Sequence, residues 1–217
     1  MVERIIRFSD LFVSQDGECL MFVVESYNDC VIRICSTEDL RIVNDVHITE
    51  GIQGIIPMNN GFILQYLDHL QTVNILLNNE FTNFENHCNQ FHNYELSPDQ
   101  KWIMASFDAY EGSEEDPYTC ADLVKISMKT KKISAILLKL NNDRLHVSSK
   151  GIFSSCGKFY CFTVIKEIDV YEDGRLIDYR EEFDIVIFNL VRKKIVKKIR
   201  TDHHVSLFNA ESPFFSF

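Results

Sequence analysis

The sequence predicts an all-β fold built from repeated antiparallel units, each of four short strands. Three observations lead to this prediction. Apolar and polar residues alternate in short runs separated by polar turns, which is the pattern of half-buried strands. The same plan of strand, tight turn, strand, loop, strand, turn and strand returns several times along the 217 residues. Only eight glycines and four prolines occur, so few segments have the composition of a flexible linker.

The repeat is anchored by equivalent turns. Taking Gly17, Gly61, Gln100 and Gly157 as equivalent gives spacings of 44, 39 and 57 residues, and four strands with their turns need roughly 40 residues. The turn sequences contain residues that tolerate the positive φ of a tight reversal. The chain is therefore predicted to be one domain, 1–217, with repeats at about 9–50, 51–92, 93–146 and 147–204, and a partial repeat from 205–217 with 1–8.

Two stretches resemble a known family. Ser97-Pro98-Asp99-Gln100-Lys101-Trp102-Ile103 is similar to the SPDGK hairpin of WD-repeat and TolB-like β-propellers, and Val31-Ile32-Arg33-Ile34-Cys35-Ser36 resembles the third strand of WD repeats. The resemblance implies a β-propeller-like arrangement of about four repeats plus a partial one. In that arrangement the N-terminal strand can close the last repeat, which would remove exposed sheet edges. The chain lacks a Trp-Asp dipeptide and a Gly-His pair, so no subfamily is indicated.

Other arrangements stay open. The chain could form part of a larger ring or a half-ring completed by a second copy or a partner chain, pairing through the edges at 1–8 and 213–217. A curved stack of antiparallel sheets or a β-sandwich is also compatible with the strand pattern. No apolar run approaches the roughly 20 residues of a membrane span, and no signal peptide is recognisable. Seven irregularly spaced cysteines favour reduced thiols and a cytoplasmic location.

Negative charge is concentrated in two segments. Residues 107–122 carry a net charge of −6 and residues 166–184 a net charge of −5, against −10 for the whole chain. The second segment is predicted to be a long hairpin over 168–179, because Asp173-Gly174 suits a type I′ turn. In a propeller, equivalent loops emerge on one rim, so both acidic segments would share a rim. The basic turns at 129–132 and 192–194 would lie on the opposite rim.

These features predict a non-enzymatic scaffold that binds a basic protein surface, as an inhibitor, an immunity-type partner or an assembly subunit would. The negative net charge argues against nucleic-acid binding, and neither a membrane nor a cofactor is expected. Solvated surface is the competing interpretation of the acidic loops. The predicted partner-binding residues are Asp108, Tyr110, Glu111, Glu114, Glu115, Asp116, Tyr118, Tyr171, Glu172, Asp173, Tyr179, Glu181 and Glu182.

Catalytic and metal-binding chemistry is weakly indicated. His87, Cys88 and His92 form the densest group of potential metal ligands, but their spacing lacks the paired pattern of zinc sites, so no metal is predicted. Cys156 lies in a turn and is the cysteine expected to be exposed, although the sequence places no base beside it. The chain has no nucleophile elbow, P-loop or dinucleotide motif. A hydrolase or lyase with carboxylates at the ring centre is the alternative function.

Overall fold

The structure is a computed structural model of the chain, and it describes residues 11–14, 17–26, 29–48, 52–66, 69–74, 80–86, 88, 91–106, 123–139, 145–147 and 151–201. The described residues contain seventeen β-strands and no α-helix. All the strand pairs are antiparallel, and the strands form four sheets. The predicted all-β class with repeated antiparallel units is therefore confirmed. The strands at 1–8 and 205–217 that were predicted to close the fold lie outside the described residues.

The first two sheets follow the chain in simple up-and-down order. Sheet 1 consists of β1 (Leu11–Val13), β2 (Cys19–Ser26), β3 (Asp29–Ser36) and β4 (Ile42–Ile48). Sheet 2 consists of β5 (Ile52–Met58), β6 (Gly61–Tyr66), β7 (Leu70–Asn74) and β8 (Glu80–Asn83). Each sheet therefore needs only short connections between sequence neighbours.

The other two sheets contain the predicted hairpin and the basic turns. Sheet 3 consists of β9 (His92–Leu96), β10 (Trp102–Ser106), β11 (Leu123–Ser127) and β12 (Ile133–Leu138). Sheet 4 consists of β13 (Leu145–Val147), β14 (Ile152–Phe153), β15 (Phe159–Glu172), β16 (Arg175–Asn189) and β17 (Lys194–Thr201). Both β13 and β14 pair with β15, so sheet 4 is four strands wide along its path, with its first strand in two pieces.

The chain divides into two compact units, Met1–Asn89 and Gln90–Phe217. The first unit contains sheets 1 and 2, and the second contains sheets 3 and 4. One apolar cluster of the first unit combines Met21 and Ile32 from sheet 1 with Phe62 and Leu64 from sheet 2. Because side chains alternate along a strand, one face of each strand can supply such a cluster. The expectation of a single domain stays a prediction.

In the second unit, an apolar cluster joins sheets 3 and 4. It contains Met104 and Leu123 from sheet 3, together with Tyr160, Phe162 and Phe188 from sheet 4. The buried residues of β15 and β16 recur with a period of two on this face, and residues 160–165 of β15 are buried on both faces. The cluster fixes the position of sheet 4, whose strands extend well past it.

The first turn of sheets 1, 3 and 4 is built in the same way around a serine. The serine backbone N–H donates to the carbonyl oxygen of the residue five positions later, and the serine Oγ accepts a hydrogen bond from the N–H of that same residue. The three pairs are Ser14 with Cys19, Ser97 with Trp102, and Ser154 with Phe159. The hydroxyl therefore satisfies a backbone donor just where the hairpin reverses.

The fourth residue of each of these turns has a positive φ. The angles are 77° at Gly17, 53° at Gln100 and 66° at Gly157, and each N–H donates to the serine carbonyl oxygen at 2.8 Å. The predicted equivalence of these three positions is confirmed. The prediction that Gly61 is equivalent to them is wrong, because Gly61 (φ 153°) pairs with Met58 across a shorter turn in sheet 2.

A second repeated contact joins the first turn of each of these sheets to the turn after its third strand. The N–H of the residue that follows the third strand donates to the carbonyl oxygen of the residue before the second strand. The three bonds run from Thr37 to Glu18, from Met128 to Lys101 and from Leu190 to Lys158, at 3.0, 2.9 and 2.9 Å. In each sheet, both turns therefore lie together at one end.

Candidate functional site

The predicted partner-binding residues fall into two groups. Asp108, Tyr110, Glu111, Glu114, Glu115, Asp116 and Tyr118 lie outside the described residues. Tyr171, Glu172, Asp173, Tyr179, Glu181 and Glu182 all lie on β15, on β16 or in the turn between them. The structure therefore brings the second group together on one hairpin.

This hairpin extends beyond both neighbouring strands of sheet 4. On one side, β13 reaches only to the pair Leu145–Lys166, and on the other side β17 reaches only to the pair Thr201–Phe183. Within the described residues, 167–182 therefore form a two-stranded ribbon with no third strand. We call residues 167–182 the acidic arm. At about 3.3 Å per residue, its six-residue strand 167–172 projects about 20 Å.

A tight two-residue turn closes the acidic arm. Glu172 pairs with Arg175, and the intervening Asp173 and Gly174 have φ angles of 49° and 77°. Two consecutive positive φ values define a type I′ turn, whose twist matches that of an antiparallel ribbon. The predicted hairpin with its Asp-Gly turn is confirmed. It is longer than predicted, because β15 and β16 stay paired down to Phe159 and Asn189.

One face of the acidic arm carries two exposed tyrosines. Tyr171 pairs with Leu176 and Tyr179 pairs with Asp169, which places all four side chains on the same face. Tyr171 and Tyr179 are 61% and 59% exposed, and Leu176 is 44% exposed. The Tyr171 hydroxyl donates to Asp169 Oδ2 at 3.1 Å. Exposed tyrosines of this kind combine apolar area with a polar group, a combination that is enriched at protein interfaces.

The opposite face is more mixed. Ile168 pairs with Arg180, and Val170 pairs with Asp178. The register shifts between Val170 and Tyr171, so that Ile177 is an extra residue on β16 and is 56% exposed. Such a bulge increases the local twist and redirects the side chains beyond it.

The acidic arm is strongly negative, apart from its base. It contains seven acidic residues and two arginines, for a net charge of −5. At the base, Arg200 of β17 contacts Glu182 and donates to Asp184 at 2.7 Å, and Arg180 donates to Glu182 at 2.8 Å. The hydrogen bond to Asp184 raises the pKa of Arg200. Glu182, which was predicted to bind a partner, is thus held by two arginines of its own chain, whereas Glu172, Asp173 and Glu181 are exposed.

The other end of sheets 3 and 4 is positively charged. Its four turns, 97–101, 127–132, 154–158 and 189–194, contain eight basic residues and one acid, Asp99. We call these turns the basic end. Trp102 follows the first of them and contacts Phe153, which precedes the third, with ring centroids 5.1 Å apart in an edge-on arrangement. The turns of the two sheets therefore lie on the same side of the second unit.

Several residues of this site were missed by the sequence analysis. Lys101 and Lys158 join the basic turns through backbone hydrogen bonds to Met128 and Leu190. No local motif indicates this contact, because it depends on the pairing of strands. The shared serine of the three first turns, by contrast, is visible in the sequence at a fixed distance before Gly17, Gln100 and Gly157, and could have been found there.

The groups considered for chemistry are placed as follows. Cys156 is exposed, as predicted, and the hydrogen bond between its Sγ and Ser154 Oγ, 3.4 Å long, lowers the pKa of the thiol. Cys88 is buried and His92 is exposed, while His87 lies outside the described residues. Among the residues that the structure describes, no three potential metal ligands come together. In the same part of the chain, no helix is long and apolar enough to cross a membrane.

Comparison with known proteins identifies the fold. No protein-family model and no curated protein matches the sequence significantly. The structure of a putative TolB from Agrobacterium tumefaciens aligns with a TM-score of 0.54 at 10% identity, over 92% of this chain and 68% of that one. Taken with the four-stranded antiparallel sheets, this match confirms the β-propeller-like fold class and the resemblance to such proteins.

Two further solved structures align less closely. The Cps50 (Swd1) β-propeller domain of Myceliophteria thermophila aligns with a TM-score of 0.47 at 10% identity, over 89% of this chain and 73% of that domain. Kuenenia stuttgartiensis hydrazine synthase aligns with a TM-score of 0.48 at 12% identity, over 92% and 67% of the two chains. At such identities the likeness concerns the fold alone, because one fold supports many functions.

Proposed function

We propose that the protein is a non-enzymatic interaction module whose acidic arm binds a basic surface of a partner protein. The observation that carries the proposal is the projection of the arm. A ribbon with a net charge of −5 extends past both neighbouring strands of its sheet, so no third strand pairs with it within the described residues, and its outer part, 171–181, is exposed. A negative projection of this kind raises the rate at which a basic partner is encountered.

The exposed side chains of the arm support the same proposal. Binding energy at protein interfaces is concentrated in a few buried residues, among which tyrosine is enriched. Tyr171, Leu176 and Tyr179 lie on one face of the arm, and acidic residues adjoin the two tyrosines in the sequence. On binding, the two rings would be buried while the carboxylates pair with lysines and arginines around them. The arm thus combines an apolar centre with a charged periphery, the arrangement found at protein interfaces.

The first test reverses charge on the arm. In the arm-reversed variant, Glu167, Glu172 and Glu181 are changed to lysine. Glu167 and Glu181 face each other directly, so reversing both exchanges one pair of like charges for another. Glu172 faces Arg175 at the exposed tip, where the change to a like-charged pair costs on the order of 0.2 to 1 kcal/mol. Partners are captured from the lysate of the native host at low and high salt and identified by mass spectrometry. We expect a basic protein to be captured by the wild type at low salt and lost with the variant.

A matched control separates the arm from total charge. In the control-reversed variant, Glu18, Glu38 and Glu80 of the first unit, all exposed, are changed to lysine. This variant has the same net charge as the arm-reversed variant, and we expect it to retain the partner. Capture that survives arm reversal, or that fails equally in both variants, would contradict the proposal and would identify the arm as solvated surface.

A further inference from the structure

The second unit carries opposite charges at its two ends. The acidic arm closes at Asp173 and Gly174, where β15 meets β16. The basic end lies at the opposite end of the same strands, where Asn189 leads into the turn before Lys194. The strand between them, β16, has 15 residues, which corresponds to about 45 Å from the tip of the arm to the basic end.

The positive charge of the basic end is repeated in both sheets. Lys101 and Lys158 occupy equivalent positions in the first turns, and Lys129, Lys132, Arg192 and Lys194 are exposed in the turns that these lysines contact. The fold itself does not require this charge, because the same turns of sheet 1 carry Glu18, Glu38 and Asp39. Val191, at the tip of one basic turn, is 73% exposed. The basic end therefore offers both positive charge and exposed apolar area.

The two ends cannot neutralise each other within one molecule. A separation of about 45 Å is several times the Debye length of about 8 Å at physiological ionic strength. The net charges, −5 on the arm and +7 on the four turns of the basic end, are nevertheless complementary. The surface of this chain that fits the arm best in charge is thus the basic end of another copy.

We infer that two copies of this chain form an antiparallel dimer in which the acidic arm of each copy contacts the basic end of the other. The inference rests on the proposed function, since it uses the arm as a binding element, and it names the basic surface. It differs from pairing through the terminal strands, because both contact surfaces belong to sheets 3 and 4.

Symmetry favours two copies over a longer assembly. If each arm contacts the basic end of the other copy, a two-fold axis relates the two contacts and closes the assembly. Cyclic dimers of this kind are the commonest soluble homo-oligomers. Both contacts then form at once, and the second contact benefits from the high effective concentration created by the first.

The test uses the full-length chain in pure form. Sedimentation equilibrium at low salt is expected to show a dimer that dissociates at high salt, because screening weakens contacts between exposed charges. The arm-reversed variant and a turn-reversed variant, with Lys129, Arg192 and Lys194 changed to glutamate, are each expected to dimerise at least about ten-fold more weakly. The control-reversed variant is expected to dimerise like the wild type.

Mixing the two variants provides the decisive measurement. The arm of the arm-reversed variant carries +1 instead of −5, and the basic end of the turn-reversed variant carries +1 instead of +7, so neither variant has a complementary pair of intact surfaces with which to pair with itself. In an equimolar mixture, the intact arm of the turn-reversed variant (−5) meets the intact basic end of the arm-reversed variant (+7), so we expect heterodimers that bind more tightly than either variant pairs with itself. Circular dichroism and thermal melting of each variant confirm that the loss of self-pairing does not come from unfolding.

Three outcomes would overturn the inference: a monomeric wild type at all concentrations, a dimer that neither reversal weakens, or a mixture that fails to restore pairing. Its failure is distinguishable from that of the proposed function. A monomeric chain whose arm still captures a foreign basic protein removes the dimer and keeps the function. Capture of that protein should then be unaffected in the turn-reversed variant, which has an intact arm.

Discussion

Three serines and three residues with positive φ define equivalent hairpins along the chain. Ser14, Ser97 and Ser154 make the same two hydrogen bonds to their hairpin partners, and the fourth residue of each turn is left-handed. Two of these left-handed residues are glycines, and the third is Gln100. For a residue with a Cβ, the left-handed conformation costs about 1 to 2 kcal/mol. Gln100 is thus the one member of this set that carries conformational strain.

Changing Gln100 to glycine should stabilise the protein. Relief of the left-handed strain, about 1 to 2 kcal/mol, is partly offset by the greater freedom of glycine in the unfolded chain, about 0.4 to 1 kcal/mol. We expect the free energy of unfolding, measured in urea, to rise by about 0.5 to 1 kcal/mol. Gly157→Gln is the reverse substitution at the equivalent position and should lower the free energy of unfolding by a similar amount. Changes of the same sign in both variants would contradict this explanation.

Lys131 should make stability depend on pH in a defined window. Burial lowers its pKa from 10.5 to about 8. Between these two pH values the folded state binds fewer protons than the unfolded state, so the free energy of unfolding rises with pH across the window. Below the window, Lys131 is charged in both states, and its unfavourable contribution to the free energy of unfolding no longer changes with pH. Relative to Lys131→Gln, the wild type should therefore gain stability between pH 8 and pH 10.5.

Urea midpoints of both proteins at neutral pH and about pH 10 measure this difference. Comparing the two proteins at each pH cancels the contributions that they share, such as that of Cys161, whose pKa burial raises to about 11. Lys129→Gln is the exposed control and should show no such window. An equal response of both lysine variants to pH would exclude Lys131 as the cause.

At the scale of elements, the outer part of the acidic arm carries the proposed binding surface and lies outside the apolar cluster of sheets 3 and 4. Residues 171–181 are all exposed, and the apolar cluster of sheet 4 uses β15 and β16 only below the arm. The salt bridges from Arg200 also lie at the base of the arm rather than along it. The outer part of the arm, 171–181, therefore contributes little burial to the stability of the sheet, whereas residues 167–170 are half-buried.

Removal of the arm should leave the fold intact. Lys166 and Glu182 face each other, so an Asn-Gly loop between them continues the ribbon in register as a type I′ turn. We expect this variant to keep its thermal midpoint within about 2 to 4 °C of the wild type, which corresponds to about 1 kcal/mol or less for a chain of this size. A large loss of stability would show that the arm packs against the rest of the chain.

The sequence predicted the features of these elements that are local. The Asp173-Gly174 turn and the equivalence of Gln100 with Gly17 and Gly157 depend on a few adjacent residues, and both were predicted. The brace from Arg200 to Glu182 and Asp184 was missed, because it follows from the register of β16 and β17. The exposure of Leu176 was missed for a related reason. Strand periodicity shows which side chains share a face, but it does not show where a neighbouring strand ends.

At the scale of the whole molecule, the two compact units each have an apolar cluster of their own. Ile32→Ala in the first unit and Phe162→Ala in the second should each cost about 2 to 5 kcal/mol. We expect native-state hydrogen exchange to accelerate mainly in the strands of the unit that carries the substitution, because regions with separate cores can open separately. Equal acceleration in both units would instead show a single cooperative domain, as the sequence predicted.

The net charge of the whole chain, −10, does not show that negative and positive charges are concentrated in separate parts of the second unit. The acidic arm and the basic end belong to one unit, and neither is apparent from the net value. The sequence located both charged segments and placed them on opposite rims. The structure adds that, in sheet 4, the two lie at opposite ends of the same strands. Composition alone could not give this result, because it depends on the length of β15 and β16.

The repeated hairpin also bears on how the protein can diverge. In each copy, the serine and the left-handed residue maintain the backbone, while the next position is Glu18, Lys101 or Lys158 and supplies its carbonyl oxygen to the contact between the two turns. Its side chain is exposed in all three copies. A substitution at this position can reverse the charge of the surface while the backbone hydrogen bonds of the hairpin stay in place. A repeat of this kind can therefore change the charge that it presents to partners by single substitutions, while the backbone hydrogen bonds of its hairpin stay the same.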